Sequence, residues 1–464
     1  MDDQQTAERS FGEEHFGAAE LGDVRRTRRL VRLADQMVKH PGGTLPDKLS
    51  DPATLKALYR LVKKDEVTHE SVLMPSRERT LRLAAEAEGT VLHIHDGTEL
   101  DYSGLHSLQG LGQIGNGNGR GYLAHNTLTV IAETREVIGL SYQKLIKRPK
   151  ASKQENRQQR RDRPDRESRM WKNASAAIPP APPGRRHVEV ADRGADLLEF
   201  MDFVESQGKS YLVRSKHNRL IRLENGEKTK LHDYARALPI GGTKTVEVPA
   251  TKKHPARTAT VGVAWAEVTL LVPRQPRGEI RGVPLKTWVI CVREIDPPAD
   301  AEPLEWILLT NVPVRTLADA LERIEWYECR WIIEEYHKAM KTGAEVEKLQ
   351  FTREERLQPV IALLSVVALF LLNLRNASRQ PDAQERPANE LLPQVFVSVL
   401  ALWRYKKVRP DLTVHEFYYA LARLGGHQNR KHDHPPGWLV LWRGWTKLQA
   451  MVDITLAYER QKCG

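Results

Sequence analysis

Between Tyr327 and Lys341 the chain reads YECRWIIEEYHKAMK, and its hydrophobic and polar positions follow the period of an α-helix. At about 100° per residue, four polar residues share one narrow face: Tyr327, Arg330, Glu334 and Lys341. The opposite face is apolar and carries Cys329, Ile332, Ile333, Tyr336, Ala339 and Met340. Thr316 with Asp319 is a suitable capping box ahead of this stretch, and Gly343 a suitable C-cap after it. The pattern predicts one amphipathic helix.

Two segments farther upstream alternate with the period of two that is typical of β-strands. The first, VLHIHDGTELDY, places Leu92, Ile94 and Asp96 on one face. The second, HVEVADRGAD, places Val188, Val190 and Asp192 on one face. Each segment therefore predicts a short strand that carries a carboxylate near its end, with a glycine close behind.

Other stretches complete an α/β pattern. Between Asn218 and Pro303, alternating segments such as KTVEV, TATVGVAW and TWVICV are broken by Gly and Pro and predict a β-rich region. The apolar run from Val360 to Leu374 is shorter than the roughly 20 residues that span a bilayer, which predicts a buried helix and no membrane association. The first 70 or so residues show helical patterning.

Three carboxylates from these segments suggest a metal site. Asp96, Asp192 and Glu334 are far apart in sequence, but two strands and a helix can bring them together around divalent cations, which prefer oxygen ligands. No cluster of Cys and His has zinc spacing, and Cys291, Cys329 and Cys463 form no CxxC pair. Two plainer readings stay open. Each aspartate suits a turn or a helix cap, and the polar stripe suits a solvated helix face.

The positive net charge of the chain favours a polyanionic binding partner. Among 464 residues, Lys and Arg number 71 and Asp and Glu 60, which gives a net charge of +11. A basic balance is expected of a DNA-binding protein, although alone it is weak support. Cations concentrate near the start of the chain, at Arg25, Arg26, Arg28, Arg29, Arg32 and Lys39. This stretch suits a DNA backbone, and a solvated helix face is the alternative.

Several segments, in order, resemble those of one family. They are LGDVRRTRRL, HIHDGT, VADRGAD, YLVRSKH, WILLTNVPV, YECRWIIEEYHKAMKTGAE and ALARLGGH. The chain thereby resembles the bacterial cut-and-paste DDE transposases with the YREK signature, of the Tn-five type. The resemblance runs from about Leu21 to about Asp453 and so covers nearly the whole chain.

The resemblance implies a ribonuclease H-like mixed-sheet catalytic core with a β-rich insertion. It implies three regions: an N-terminal helical DNA-binding domain over residues 1–70, a catalytic domain over 71–375 with the insertion at about 218–303, and a C-terminal helical dimerisation region over 376–464. The strand-like segments between residues 75 and 220 fit such a core.

The resemblance also implies roles for individual residues. Asp96, Asp192 and Glu334 would be the acidic triad that holds two Mg²⁺ ions, with Mn²⁺ able to substitute. DNA near the cleaved bond would be contacted by Tyr327, Arg330, Lys338, Lys341, Arg214 and Lys216. Arg25, Arg26, Arg29 and Lys39 would bind the transposon end. Trp306 would stack on a base flipped out of the duplex, and a core tryptophan is the alternative.

The implied reaction is nicking at the 3′ end, hairpin formation and opening, and joining to target DNA. The implied partners are double-stranded DNA, as inverted repeats and as target, and a second copy of the chain in a synaptic complex. The implied location is the bacterial cytoplasm, at the nucleoid. Two alternatives remain at this point: a ribonuclease H-like structure-specific nuclease, and a catalytically silent repressor derived from a transposase.

Overall fold

A computed structural model describes residues 9–148, 156, 159, 163, 165–248, 256–274, 278–298, 302–430, 433 and 435–462. Five helices open the described chain: α1 (Phe11–Phe16), α2 (Val24–Lys39), α3 (Leu45–Lys48), α4 (Pro52–Leu61) and α5 (His69–Glu86). Asp23 caps α2, and Thr68 with Ser71 caps α5. The predicted helical N-terminal region is therefore observed.

Twelve strands form one mixed sheet. They are β1 (Thr90–Asp101), β2 (Gly112–Gln113), β3 (Arg120–Ile131), β4 (Val137–Ile146), β5 (Arg186–Ala191), β6 (Ser210–Arg214), β7 (Leu220–Arg222), β8 (Lys228–Lys230), β9 (Gly242–Val248), β10 (Arg257–Leu270), β11 (Leu285–Glu294) and β12 (Glu305–Thr310). The order is β2-β3-β1-β5-β6-β12-β11-β10-β7-β8, with β4 on β3 and β9 on β10. The predicted mixed α/β core is confirmed, and the β-rich segments extend its sheet through β12.

Nine further helices complete the described part of the chain: α6 (Arg169–Ala176), α7 (Leu198–Ser206), α8 (Leu231–Ala237), α9 (Leu317–Glu328), α10 (Trp331–Lys338), α11 (Glu354–Ala377), α12 (Gln394–Tyr405), α13 (Val414–Leu424) and α14 (Trp438–Lys462). The predicted helix over Val360 to Leu374 is α11, which is apolar and long enough to cross a membrane. Most of it is buried against the sheet and neighbouring helices, so it is the central core helix.

The prediction of a single helix from Tyr327 to Lys341 is wrong. The capping box of Thr316 and Asp319 does begin α9, but that helix ends at Glu328. The amides of Arg330 and Ile332 then bond three residues back, to Tyr327 (3.0 Å) and Cys329 (2.9 Å), and this tighter turn separates α9 from α10.

The end of this region also differs from the prediction. A π-helical turn over Ala339–Gly343 follows α10, and Ala344, in place of Gly343, is the C-cap. A Cβ on Gly343 would lie 3.1 Å from Leu371 Cδ1, so the glycine serves close packing against α11. Because a π-turn has more residues per turn, a fixed 100° step misplaces Lys341.

Two tryptophans of α14 connect this helix to the N-terminal helices and to α10. Trp445 Nε1 donates to the carbonyl of Val38 (3.0 Å), and its ring packs on Phe370 and Phe396. Trp438 Nε1 donates to Glu335 Oε2 (3.0 Å) on α10. The C-terminal helices therefore contact both the N-terminal helices and the segment that follows the sheet.

Buried histidines predict an acid-sensitive fold. Burial lowers the pKa of His69 to about 4 and that of His93 to about 3, so both are neutral in the folded chain. The unfolded chain binds protons below about pH 6.5, and each such group then costs about 1.4 kcal/mol of stability per pH unit. We expect the melting temperature to fall as the pH drops below about 6.5.

Circular dichroism melts between pH 8 and pH 5 check this expectation. Most carboxylates titrate below this window. Asp96, whose raised pKa of about 7 stabilises the folded chain as the pH falls, opposes the decline, and the several buried histidines outweigh it. His93→Gln removes one of the titrating groups and should give a shallower decline than the unchanged chain. A melting temperature independent of pH across the whole window would contradict the expectation.

Candidate active site

Strand pairing places Asp96 beside Asp192. The parallel pairing of β1 with β5 runs to Ile94 opposite Val190 and His95 opposite Ala191. The next residues on the two strands are Asp96 and Asp192, so the register makes them neighbours on the same face, where adjacent strands lie about 4.8 Å apart. Asp96 lies within β1 and not near its end as predicted, because β1 continues to Asp101 against β3.

Each aspartate also has a local hydrogen bond. Asp96 Oδ1 accepts from the amide of Gly97 (2.7 Å), and Asp192 Oδ1 accepts from the amide of Gly194 (2.7 Å). Asp192 thereby caps the short 3₁₀ helix Arg193–Ala195. Asp192 therefore has the capping role that was considered as the alternative to metal binding. Its other carboxylate oxygen takes no part in that hydrogen bond.

Helix α10 adds Glu334 and an arginine to this edge of the sheet. Arg330 Nη1 lies 3.2 Å from Asp96 Oδ2 and 3.3 Å from Glu334 Oε1. The side chains of Arg330 and Asp96 are 15% and 14% exposed, and that of Glu334 is 37% exposed. One guanidinium therefore bridges two of the three predicted carboxylates in a partly buried site.

The electrostatics of Asp96 indicate a cation site. Burial, followed by the nearby charge of Asp192, raises the pKa of Asp96 to about 7, and Arg330 opposes both effects. A carboxylate that is buried beside another carboxylate is stabilised in its charged form by added positive charge. A strongly shifted pKa of this origin is typical of functional sites.

The structure adds His337, which the sequence analysis did not select. Ligand atoms of Asp96, Glu334 and His337 all lie within 4.8 Å of one another. Burial lowers the pKa of His337 to about 3, so the imidazole is neutral, and its Nε2 accepts from the side-chain amide of Asn126 (3.1 Å). The two carboxylates beside it suit a divalent cation. The available signal was the spacing Glu334-x-x-His337, which places both on one helix face.

The predicted aromatic residues lie next to each other. The rings of Trp306 and Tyr327 are 6.1 Å apart at 57°. Tyr327 is buried, which raises the pKa of its phenol, and its hydroxyl shares a hydrogen bond with Arg214. Arg214 also donates to the carbonyl of Glu305 (2.8 Å). Trp306 is half-buried on β12 and packs against the core, so both of its readings remain open.

The predicted lysines differ in their surroundings. Lys341 Nζ lies 3.6 Å from Glu347 Oε1. Lys338 is largely exposed, and its Nζ lies 3.1 Å from Glu335 Oε1. Lys216 is exposed, and its amide donates to the buried Asp196 (2.6 Å). Asp196 also accepts from Ser215 and from the amide of His217, so it fixes the loop after β6. The sequence analysis did not select Asp196.

The predicted end-binding cations lie on α2, and most face solvent. Arg25, Arg29 and Lys39 are exposed, whereas Arg26 pairs with Glu66 (2.8 Å) and donates to the carbonyl of Leu21 (2.7 Å). Within the described residues, none of the four bonds to the carboxylate site. These four cations therefore form a group apart from the carboxylate site.

An exposed tryptophan was also missed. Trp331 is the first residue of α10, its side chain is 64% exposed, and its ring lies 5.2 Å from the Arg330 guanidinium. A single exposed aromatic residue is ordinary on a protein surface, so the position of Trp331 directly after Arg330 assigns it no role by itself.

Two family models match the chain. The model described as Transposase DNA-binding matches residues 8–67, which contain α2 and its cations. The model described as Transposase DDE domain matches residues 151–371, which contain Asp192, Glu334 and His337. Asp96 lies ahead of the second match, and the register of β1 with β5 connects it to that domain. Domains of this second kind use divalent metal ions, which the carboxylates of the site suit.

Proposed function

The chain carries the DNA-binding domain and the DDE domain of a transposase, and from that premise we propose that it performs cut-and-paste transposition of a DNA element. The observation that supports this most is the convergence of Asp96 from β1 and Glu334 from α10 beside Asp192 at the end of β5. Three carboxylates in such an arrangement suit the joint binding of a phosphodiester and cations.

We assign the three carboxylates to metal binding. Asp96, Asp192 and Glu334 would hold two Mg²⁺ ions, and Mn²⁺ would substitute for them. When bound, the two ions supply charge stabilisation of the entering and leaving oxygens of an in-line displacement. Arg330 contacts two of these carboxylates and is placed to hold a DNA phosphate beside them.

The remaining predicted residues suit DNA contacts around this centre. Lys341, Lys338 and Lys216 would neutralise phosphates, and Arg214 would do so while orienting Tyr327 through their shared hydrogen bond. Trp306 would stack on an unpaired base, which offsets part of the cost of extruding it. Arg25, Arg29 and Lys39 on the exposed face of α2 would bind the element's end repeats, with Arg26 orienting that helix through Glu66.

The proposed reaction is a series of displacements at phosphorus. A water oxygen attacks the phosphate at the element's end, the P–O3′ bond breaks, and the leaving oxygen becomes a free 3′-hydroxyl. That hydroxyl attacks the opposite strand, which forms a hairpin and releases the flanking DNA. A second water opens the hairpin, and the 3′-hydroxyl then attacks target DNA. Each step exchanges one P–O bond for another, so no oxidant or protein nucleophile is needed.

We propose the domain division from residues 1–70, 71–375 and 376–464, with an insertion at about 218–303. The active species would be a homodimer assembled on two DNA ends in the bacterial cytoplasm, at the nucleoid. The hydrogen bonds from α14 to Val38 and to Glu335 support a C-terminal region that acts together with the other two.

Cleavage of end-bearing DNA tests the proposed function. Purified protein and Mg²⁺ are incubated with labelled duplexes that carry the sequences flanking this gene, in parallel with Glu334→Gln. We expect nicks, hairpins and joined products on denaturing gels from the unchanged protein, and bound but uncut DNA from the variant. Chelation of Mg²⁺ with EDTA should prevent cleavage and leave the DNA bound but uncut.

The product pattern separates the proposal from its rivals. Nicks without hairpins or joined products would indicate a structure-specific nuclease and contradict transposition. Binding to a verified element end without any cleavage would indicate a repressor. Equal cleavage by Glu334→Gln would contradict the assignment of the acidic site.

A further inference from the structure

A buried hydrogen bond joins the sheet to α10 beside the carboxylate site. Asn126 on β3 donates through Nδ2 to Nε2 of His337 on α10 (3.1 Å). We propose that Asn126 is a positioning residue of the active site. Through this bond it sets the distance between α10 and β1, and so the distance between Glu334 and Asp96. The inference rests on the proposed function, because it concerns the geometry in which that reaction takes place.

The two bonded residues are the neighbours of the two carboxylates. Asn126 is directly opposite Asp96 in the antiparallel pairing of β1 with β3, so both side chains project from the same face of the sheet. His337 follows Glu334 by three residues, which places both on one face of α10. Asn126 is fully buried and His337 is 5% exposed. Polar side-chain atoms of Asp96, Glu334 and His337 lie within 4.8 Å of one another. A shift at this bond is therefore transmitted directly to the spacing of the carboxylates.

A chain of buried hydrogen bonds fixes the direction of the Asn126 amide. Gln143 Nε2 donates to Asn126 Oδ1 (2.8 Å) and to Ser365 Oγ (3.0 Å). Gln143 Oε1 accepts from His69 Nε2 (2.9 Å). Because Gln143 occupies the oxygen of Asn126, the amide nitrogen of Asn126 faces His337. Burial lowers the pKa of His337 to about 3, so its ring is neutral and Nε2 accepts. Each bond in the chain therefore pairs one donor with one acceptor.

The chain connects α10 to parts of the fold outside the carboxylate site. Gln143 lies on β4, His69 begins α5, and Ser365 lies in the middle of the core helix α11. Tyr336 on α10 also donates to the carbonyl of Ser365 (3.1 Å). Helix α10 has only eight residues and lies between a tight turn and a π-turn, so it has little stability of its own. Side-chain bonds to the core consequently decide where it lies.

The carboxylates need such support because their own contacts change during the reaction. Like charges repel, and Arg330 is the group that lies between Asp96 and Glu334. The same guanidinium is assigned above to a DNA phosphate, so its hold on the carboxylates weakens when DNA binds. The bond from Asn126 is buried beneath the site and persists whether or not DNA is present. A misplacement of about 1 Å at a reacting centre can cost about 10²-fold in rate.

The alternative is a polar core network that stabilises the fold without influencing the site. Buried amides need hydrogen-bond partners wherever they lie, so a loss of stability alone does not separate the two roles. A positioning role makes metal affinity and cleavage depend on an acceptor at position 337. His337→Gln keeps an acceptor oxygen that Asn126 can reach, whereas His337→Leu fills a similar volume without one. A structural role makes both properties follow the melting temperature instead.

Four variants of the full-length protein test the proposal: Asn126→Leu, His337→Leu, His337→Gln and Asn311→Leu. The last is the matched control, because Asn311 also connects strands through its side-chain amide. It accepts from the amide of Tyr211 (2.9 Å) and donates to the carbonyl of Lys209 (2.9 Å). Electron paramagnetic resonance records unbound Mn²⁺ while the ion is titrated into each protein. Single-turnover cleavage, a gel-shift assay on end DNA and circular dichroism melts complete the comparison.

We expect Asn126→Leu and His337→Leu to lower Mn²⁺ affinity by about tenfold and the cleavage rate by about 10²-fold. Affinity for end DNA should be unchanged, because the α2 cations lie apart from this site. His337→Gln should stay within about threefold of the unchanged protein in both properties. Asn311→Leu should lower the melting temperature and leave Mn²⁺ affinity and cleavage as they are.

Two results would overturn the inference and leave the carboxylate site standing. One is equal Mn²⁺ affinity and equal cleavage by Asn126→Leu and Asn311→Leu. The other is the same loss in His337→Gln as in His337→Leu, since only the first keeps the acceptor. An unchanged protein that binds no Mn²⁺ would contradict the proposed metal chemistry itself, and this inference with it. The two variants of His337 decide the question even if Asn126→Leu does not fold.

Discussion

Replacing Asp96 with Asn should reduce DNA cleavage on the order of 10³-fold while end binding is retained. Asn has nearly the same shape as Asp but lacks its charge and one acceptor oxygen, so the variant removes metal binding without creating a cavity. The α2 cations that would bind DNA ends do not contact Asp96, which is why affinity for the end should survive.

The raised pKa of Asp96 makes this variant especially informative. Burial and the neighbouring Asp192 disfavour the charged form, so a neutral Asn relieves an unfavourable interaction in the fold. The melting temperature of Asp96→Asn should consequently equal or exceed that of the unchanged protein at pH 8. Inactivity combined with undiminished stability would identify a chemical role, because a structural role would lower both.

Asp101→Asn is the matched control. Asp101 ends the same strand, and among the described residues its carboxylate is hydrogen-bonded to Ser103 and not to Asp96, Asp192 or Glu334. The same substitution therefore occurs five positions away and leaves the three carboxylates in place. Single-turnover cleavage and a gel-shift assay measure both variants. Asp96→Asn cleaving within about threefold of Asp101→Asn would remove Asp96 from the mechanism.

Strand alternation was enough to predict which carboxylates face the same way. Leu92 and Ile94 are buried on the side that carries Asp96, and Val188 and Val190 are buried likewise ahead of Asp192. Alternation cannot, however, give the partner of a strand. The neighbouring positions of the two aspartates follow from a parallel register over about 90 intervening residues, which only the folded chain shows.

The helical segment from Tyr327 to Lys341 was predicted less well, because the number of residues per turn changes along it. Arg330 and Glu334 do share one face, and most of the apolar face is buried. The tight turn at Cys329 and the π-turn after Lys338, however, depend on how α9 and α10 pack on the sheet and on α11. His337 was missed for a related reason. Its hydrogen bond to Asn126 spans 211 positions in sequence, and a lone histidine on a mostly apolar helix face is ordinarily a core residue.

Arg330 is expected to matter almost as much as the carboxylates. Its guanidinium lies between Asp96 and Glu334 and is partly buried, so it is a fixed positive charge at the point where a phosphate would be cleaved. Removing one preorganised donor of this kind typically costs about 10² to 10³ in rate. We therefore expect Arg330→Ala to lower the single-turnover cleavage rate by about that factor, with a much smaller loss of end affinity.

Arg330→Lys separates charge from geometry. Lysine keeps the positive charge but contacts a phosphate at one point, whereas the guanidinium binds two acceptors in a fixed fork. An intermediate rate is therefore expected for Arg330→Lys. Arg386→Ala is the matched control, because Arg386 also pairs with a glutamate four residues later, Glu390, but does so on an exposed surface. If Arg330→Ala and Arg386→Ala cleave equally fast, the guanidinium serves only to balance the two carboxylates and takes no part in the reaction.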